Sequence, residues 1–186
     1  MATTVIPTEK VKVEVESEIK IFPLDEVAET IRDDALALAQ NRLSAPLDEL
    51  ELKRLLRRPD FVDNLKYGLA SGVANALSGN SPRVRAVYIY EPSANPDSEL
   101  GNDMPVDATV HLLVLVNSSS AALEAFISAL DRALAASLTS LPSPKFTERG
   151  SILDVNLLTE KDVESGRGYA VLLSSVFTPP LKVWQR

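Results

Sequence analysis

The segment from Val106 to Val116, VDATVHLLVLV, limits the possible folds more than any other part of the sequence. Alternation along an extended chain gives it one face that is apolar throughout. The opposite face begins with the polar residues Asp107, Thr109 and His111 and becomes apolar afterwards. Such a strand has to be covered on one face completely and on the other over part of its length. It therefore predicts an inner strand of a layered sheet and excludes an all-helical protein.

Hydrophobic periodicity divides the remaining chain into helices first and alternating strands and helices afterwards. This order predicts an α+β fold, with a small mixed β-sheet and helices packed on one side. The predicted elements are a strand-like arm at 10–22, helices at 24–43, 44–58 and 60–77, a strand at 83–91, a polar loop at 92–105, the strand at 106–116, a helix at 118–138, a strand at 152–158, a short helix at 168–176 and an extended end.

The N-terminal region has a different character from the rest of the chain. Residues 10–22 alternate β-branched and charged side chains, which is typical of an exposed edge strand. We therefore interpret 1–22 as a tail and strand-like arm, and 23–186 as a single α+β domain. The arm is suited to pairing with a second subunit, so a homodimer is one expectation.

Composition excludes several classes of protein and site. The chain has no cysteine and a single histidine, which excludes thiolate metal sites and sites built on two histidines of one chain. The formal net charge of −7 argues against non-specific nucleic-acid binding, which needs clustered basic residues. No apolar run approaches the length of about 20 residues that spans a bilayer. A cytoplasmic location and no association with a membrane are therefore expected.

Two predicted strands carry the polar residues that could form a site. Asp107, Thr109 and His111 share one face, and Asp154 and Asn156 share a face of the following strand. If these strands are neighbours, the side chains converge, and paired carboxylates are typical ligands of Mg²⁺. The alternative is structural: a solvated Asp107, a hydrogen-bonded His111 and an Asp154 that caps a turn.

The order of strand, polar loop, strand, helix and strand over about residues 60–186 resembles the minimal bacterial form of the nucleotidyltransferase family. The segment VYIY at 87–90 matches the family's first strand, LLVLV at 112–116 matches the apolar run of its second, and Asp154 in ILDVNLL matches the carboxylate of its third. The family places a Gly-Ser loop after the first strand and two aspartates, separated by one residue, before the apolar run.

This chain departs from that pattern at the positions that carry catalysis in the family. Glu91 and Pro92 stand in place of Gly-Ser, and Ser93 is the nearest serine for binding a nucleotide. Aligned on LLVLV, the paired aspartates fall on Thr109 and His111. Asp107 takes part only if the register shifts by two residues.

Three functions are consistent with these observations. The first is a catalytically degenerate nucleotidyltransferase-like domain, with no cofactor, that acts as a binding or assembly module, for which a protein partner is one candidate. The second is an active enzyme in which Asp107 and Asp154 hold Mg²⁺, His111 assists catalysis, and a nucleotide is bound. The third is an unrelated α+β interaction protein that dimerises through its N-terminal strand. The replaced aspartates favour the first, and with it a protein that is not an enzyme.

Overall fold

A computed structural model describes residues 23–43, 48–91, 108–143, 146, 150–176 and 178–186 of the chain, and these residues form an α+β fold, as predicted. The predicted arm at 10–22 lies outside them, so its role in a homodimer stays a prediction. The elements are α1 (Leu24–Leu43), α2 (Glu49–Leu55), α3 (Pro59–Asn80), β1 (Val84–Tyr90), β2 (Val110–Val116), α4 (Ala121–Leu138), β3 (Leu153–Thr159), α5 (Glu160–Ser165), a 3₁₀ helix (Gly168–Ser174) and β4 (Leu181–Gln185).

The described strands form one mixed sheet with the order β3-β2-β1-β4. β1 pairs antiparallel with both β2 and β4, whereas β2 and β3 are parallel and are connected through α4. β2 is therefore an inner strand, as its apolar character predicts. The C-terminal end that the sequence indicates only as extended is β4, which pairs along the outer side of β1.

Helices α1, α3 and α4 pack together on one face of the sheet. The apolar face of β2 lies beneath them, and Val110, Leu112, Val114 and Val116 have no exposed surface. α1 crosses α3 so closely that a Cβ atom added to Gly68 would lie 2.7 Å from the Cα atom of Ala35. None of the helices in the described ranges combines the length and apolar character that a membrane span requires.

The 3₁₀ helix lies on the opposite face and covers only part of it. Ala170 forms a second, smaller apolar cluster with Tyr90, Leu113 and Leu158 of the sheet. The left-handed conformation of Gly166, with φ 57°, ends α5 and reverses the chain before the 3₁₀ helix begins. On this face of the sheet, Leu113 is buried, whereas Thr109 and His111 are partly exposed.

Side-chain hydrogen bonds determine where two elements begin. Asp48 caps α2 by accepting from the backbone N–H of Glu51 at 2.7 Å, so the helix begins a few residues later than its sequence pattern predicts. Asp131 of α4 accepts from the backbone N–H groups of Ile152 and Leu153, both at 2.8 Å. This contact holds the beginning of β3 against α4, and thereby positions Asp154.

Candidate functional site

Three polar or aromatic residues form a row across the sheet at the end where β1 finishes. Tyr90 of β1 lies opposite His111 of β2, and His111 lies opposite Asp154 of β3. Neighbouring strands are about 4.8 Å apart, so side chains that share such a row and a face are in contact. The row exists because β1 runs antiparallel to β2 and β3 runs parallel to it.

Hydrogen bonds connect the members of the row. Nδ1 of His111 donates to Oδ2 of Asp154 at 2.8 Å, because a carboxylate can only accept. The Tyr90 hydroxyl lies 3.5 Å from the same oxygen. Asn156, two residues along β3, places its Nδ2 atom 3.3 Å from the Tyr90 hydroxyl oxygen and 3.5 Å from Oδ1 of Asp154.

The phenol of Tyr90 remains protonated in this environment. Burial raises the pKa of Tyr90 to about 12, and the nearby carboxylate of Asp154 and the hydroxyl of Tyr169 add to the effect. A phenol with such a pKa is a hydrogen-bond donor near neutral pH and cannot act as a general base. In this site Tyr90 can therefore bind and orient a ligand.

This row forms one wall of a cavity of about 370 Å³, lined by Tyr90, Glu91, His111, Asp154, Tyr169, Leu172 and Thr178. Its volume is within the range of small-molecule sites. Neither lysine nor arginine is among these lining residues. Glu91 is paired from outside the lining by Lys66 of α3, whose Nζ lies 2.7 Å from Oε1 of Glu91 and whose side chain is only 4% exposed.

A second cavity of about 420 Å³ adjoins the first at Tyr90, Glu91 and Thr178. It is lined by α1 and α3 residues in addition to the ends of β1 and β4. Here the face of Tyr67 is already occupied by the guanidinium of Arg42, which lies 5.0 Å from the ring centroid and donates to Oδ1 of Asn64 at 3.0 Å. The linings of the two cavities therefore differ, because only the second includes an arginine or lysine side chain.

The structure brings together some of the residues predicted from sequence. His111, Asp154 and Asn156 converge on one face. Asp107 and Ser93 lie outside the described residues, so their predicted roles in binding Mg²⁺ and nucleotide stay predictions. Among the residues that the structure describes, no group of three or more histidines and carboxylates has the arrangement of a metal site.

Tyr90 and Tyr169 are the site residues that sequence reasoning missed. The sequence indicates Tyr90 only as part of the strand VYIY, in which alternation places it on the same face as Tyr88. Tyr90 joins the site only through the antiparallel pairing of β1 with β2 in the folded sheet, which puts the last residue of β1 beside His111. Tyr169 lies at the cavity because the 3₁₀ helix packs against the sheet. No pattern in the sequence predicts that packing.

Alkaline titration tests the environment of Tyr90. Of the four tyrosines, we expect one to ionise about two pH units above the ordinary value of about 10. Because its pKa is raised on folding, the related stability is present below pH 10 and is lost as the pH rises towards 12. Phenolate absorbance near 295 nm, read in wild type and in Tyr90→Phe, measures this.

The tyrosine ionisation near pH 12 should disappear in Tyr90→Phe and remain in Tyr88→Phe. Asp154→Asn should shift it to lower pH, since the aspartate charge contributes to the shift. Four tyrosines that ionise together near pH 10 would contradict the buried position of the Tyr90 hydroxyl.

Comparison of this chain with protein-family models, curated proteins and solved structures found no match.

Proposed function

We propose that this chain is a nucleotidyltransferase-like domain that has lost metal-dependent transfer and that binds a ligand in the cavity beside Asp154. The observation that supports this most strongly is the hydrogen bond of 2.8 Å from Nδ1 of His111 to Oδ2 of Asp154. It joins the carboxylate of the third strand to the residue that replaces an aspartate of the second.

The strand register supports the alignment on which this proposal depends. Aligned on LLVLV, the resemblance puts the second of the paired aspartates at position 111. His111 lies directly opposite Asp154 in the parallel pairing of β2 and β3. A carboxylate at 111 would therefore lie beside Asp154, as a shared metal ion requires.

The donor set at these positions is poor for a hard cation. Mg²⁺ prefers oxygen ligands, and here an imidazole N–H donates to the one carboxylate of the row. The ion would have to displace that hydrogen bond and would gain no second carboxylate from positions 109 and 111. The replacement of the paired aspartates therefore removes ligands for a metal ion but leaves the cavity in place.

The cavity is what remains available for function. It combines aromatic walls with convergent polar groups, which is the usual character of a small-molecule site. The protonated phenol of Tyr90 and the carboxylate of Asp154 supply a donor and an acceptor for orienting a ligand. A binding module of this kind needs no bound metal.

A thermal melt with Mg²⁺ or Mn²⁺ and each nucleoside triphosphate tests the loss of nucleotide binding. A ligand at 100 times its Kd adds about 2.7 kcal/mol to the free energy of unfolding. For a domain of this size that is roughly 5–10 °C in Tm. We expect no metal-dependent shift in wild type or in Asp154→Ala, and no pyrophosphate release.

The active-enzyme alternative predicts the reverse. A shift that requires metal and disappears in Asp154→Ala, accompanied by pyrophosphate release, would overturn the proposed loss of transfer. It would also indicate that Asp107 completes the metal site together with Asp154.

A further inference from the structure

We propose that the cavity beside Asp154 binds a small organic cation, a quaternary ammonium or protonated amine, through aromatic rings and one carboxylate. This inference rests on the proposed binding function of the same cavity and names the chemical class of its ligand.

Three rings contribute to the lining of the cavity. The centroid of Tyr90 lies 5.4 Å from that of His111 and 6.0 Å from that of Tyr169, and both pairs are tilted by 49°. All three residues line the cavity, so a ligand inside it can contact their rings. The negative face of an aromatic ring attracts an organic cation, and such contacts strengthen when water is excluded.

One carboxylate in the cavity is not paired with a lysine or an arginine. Asp154 has no lysine or arginine partner among the described residues; its contacts are with His111, Tyr90 and Asn156. Its side chain is 44% exposed, so a ligand can reach it. Glu91, by contrast, already has Lys66 as its cationic partner.

The carboxylate that favours a cation in this cavity disfavours an anionic ligand. Phosphate groups are bound in proteins by arginine, lysine, helix N-termini or a metal ion. The residues that line this cavity include neither lysine nor arginine.

The remaining lining residues suit the apolar substituents of an alkylammonium. Leu172 provides an aliphatic surface, and Tyr169 has a half-exposed side chain at which a ligand can enter. The second cavity does not offer the same site, because Arg42 already covers the ring of Tyr67.

Isothermal titration calorimetry with defined probes tests this inference. The probes are tetramethylammonium, choline and benzyltrimethylammonium, with the uncharged choline isostere 3,3-dimethyl-1-butanol as the control ligand. At pH 8 we expect at least one cation to bind with a Kd of about 1 mM or tighter. The isostere should bind at least tenfold more weakly.

Two pairs of variants separate ring and charge contributions from damage to the fold. Tyr169→Phe keeps a ring and should retain binding, whereas Tyr169→Leu should weaken it about fivefold, the effect expected of one partly exposed cation–π contact. Asp154→Asn should weaken binding about tenfold. Asp34→Asn, which removes the same charge from α1 on the far side of the sheet, should leave it unchanged.

Three results would overturn the inference. They are the absence of binding below 1 mM for every cation, equal binding of the uncharged isostere, and equal weakening by Asp34→Asn and Asp154→Asn. Its failure is distinct from that of the proposed function, which fails on metal-dependent nucleotide transfer. If the chain neither transfers nucleotide nor binds these cations, the proposed loss of nucleotide transfer stands and the proposed cation site is rejected.

Discussion

Replacement of Gly68 by alanine is expected to lower the free energy of unfolding by about 1–3 kcal/mol through overpacking. Gly68 lies where α3 crosses α1, and the added Cβ atom would meet the Cα atom of Ala35 at 2.7 Å and its Cβ atom at 2.8 Å. A backbone atom cannot rotate away as a side chain can. The two helices would have to separate, which would loosen the fully buried Ala28, Ala35 and Ala39 of α1.

Gly79→Ala is the matched control, because it makes the same change in the same helix. No atom lies within 4 Å of the Cβ that it adds. Alanine is favoured over glycine in helices by up to about 1 kcal/mol, so this variant should be slightly more stable than wild type. Urea unfolding monitored by circular dichroism measures both variants. Equal stabilisation by the two substitutions would contradict the close crossing of α1 and α3.

The parts of the fold that were predicted correctly depend on local pattern. α1 has the bounds expected from its helical stripe after Pro23, and the apolar face of β2 is buried as its alternation requires. In both cases a single period, 3.6 or 2 residues, determines which side chains face the core. Such a signal needs no knowledge of what the element packs against.

Two elements, α5 and β4, were not predicted from the sequence. The first depends on local hydrogen bonds and has no apolar stripe, and the second depends on pairing between distant segments. α5 has no buried residue, and a reciprocal capping box between Thr159 and Asp162 begins it. β4 is a strand because it pairs with β1, which is distant in the sequence. The end of the chain shows no alternation strong enough to predict that pairing.

The residues of the candidate site also divide into those that a local pattern predicts and those that depend on pairing between distant segments. Sequence reasoning placed His111, Asp154 and Asn156 on faces that could converge, and alternation was sufficient for that. It did not place Tyr90 beside His111, because a long polar stretch of sequence separates β1 from β2 and gives no indication of their register. Register is a property of the folded sheet, so a single sequence cannot determine it across such a loop.

The double variant Thr109→Asp with His111→Asp is expected to bind Mn²⁺ more tightly than wild type does. The substitutions place carboxylates at the positions where the family resemblance requires them, and residue 111 lies directly opposite Asp154. Side chains two residues apart on a strand share a face, so all three carboxylates should be able to reach one ion. Mn²⁺ at 100 times its Kd should raise the free energy of unfolding by about 2.7 kcal/mol.

The metal-free double variant should be less stable than wild type. The hydrogen bond of 2.8 Å between His111 and Asp154 is lost, and like charges at close range repel one another and disfavour ionisation. A cation with two charges removes that repulsion, so the destabilisation without metal and the stabilisation with it have the same cause. Thermal melts with and without Mn²⁺ should therefore show a larger difference for the double variant than for any single substitution.

The variant Thr109→Asn with His111→Asn is the matched control, since asparagine has the size of aspartate without its charge. It should lose the contact to Asp154 and gain little from Mn²⁺. Adding Asp154→Asn to the aspartate pair should remove most of the gain, because the third carboxylate then disappears. If the paired aspartates bind no metal although the variant folds, then His111 does not occupy the position of a catalytic aspartate, and the cavity beside Asp154 requires an explanation independent of the nucleotidyltransferase family.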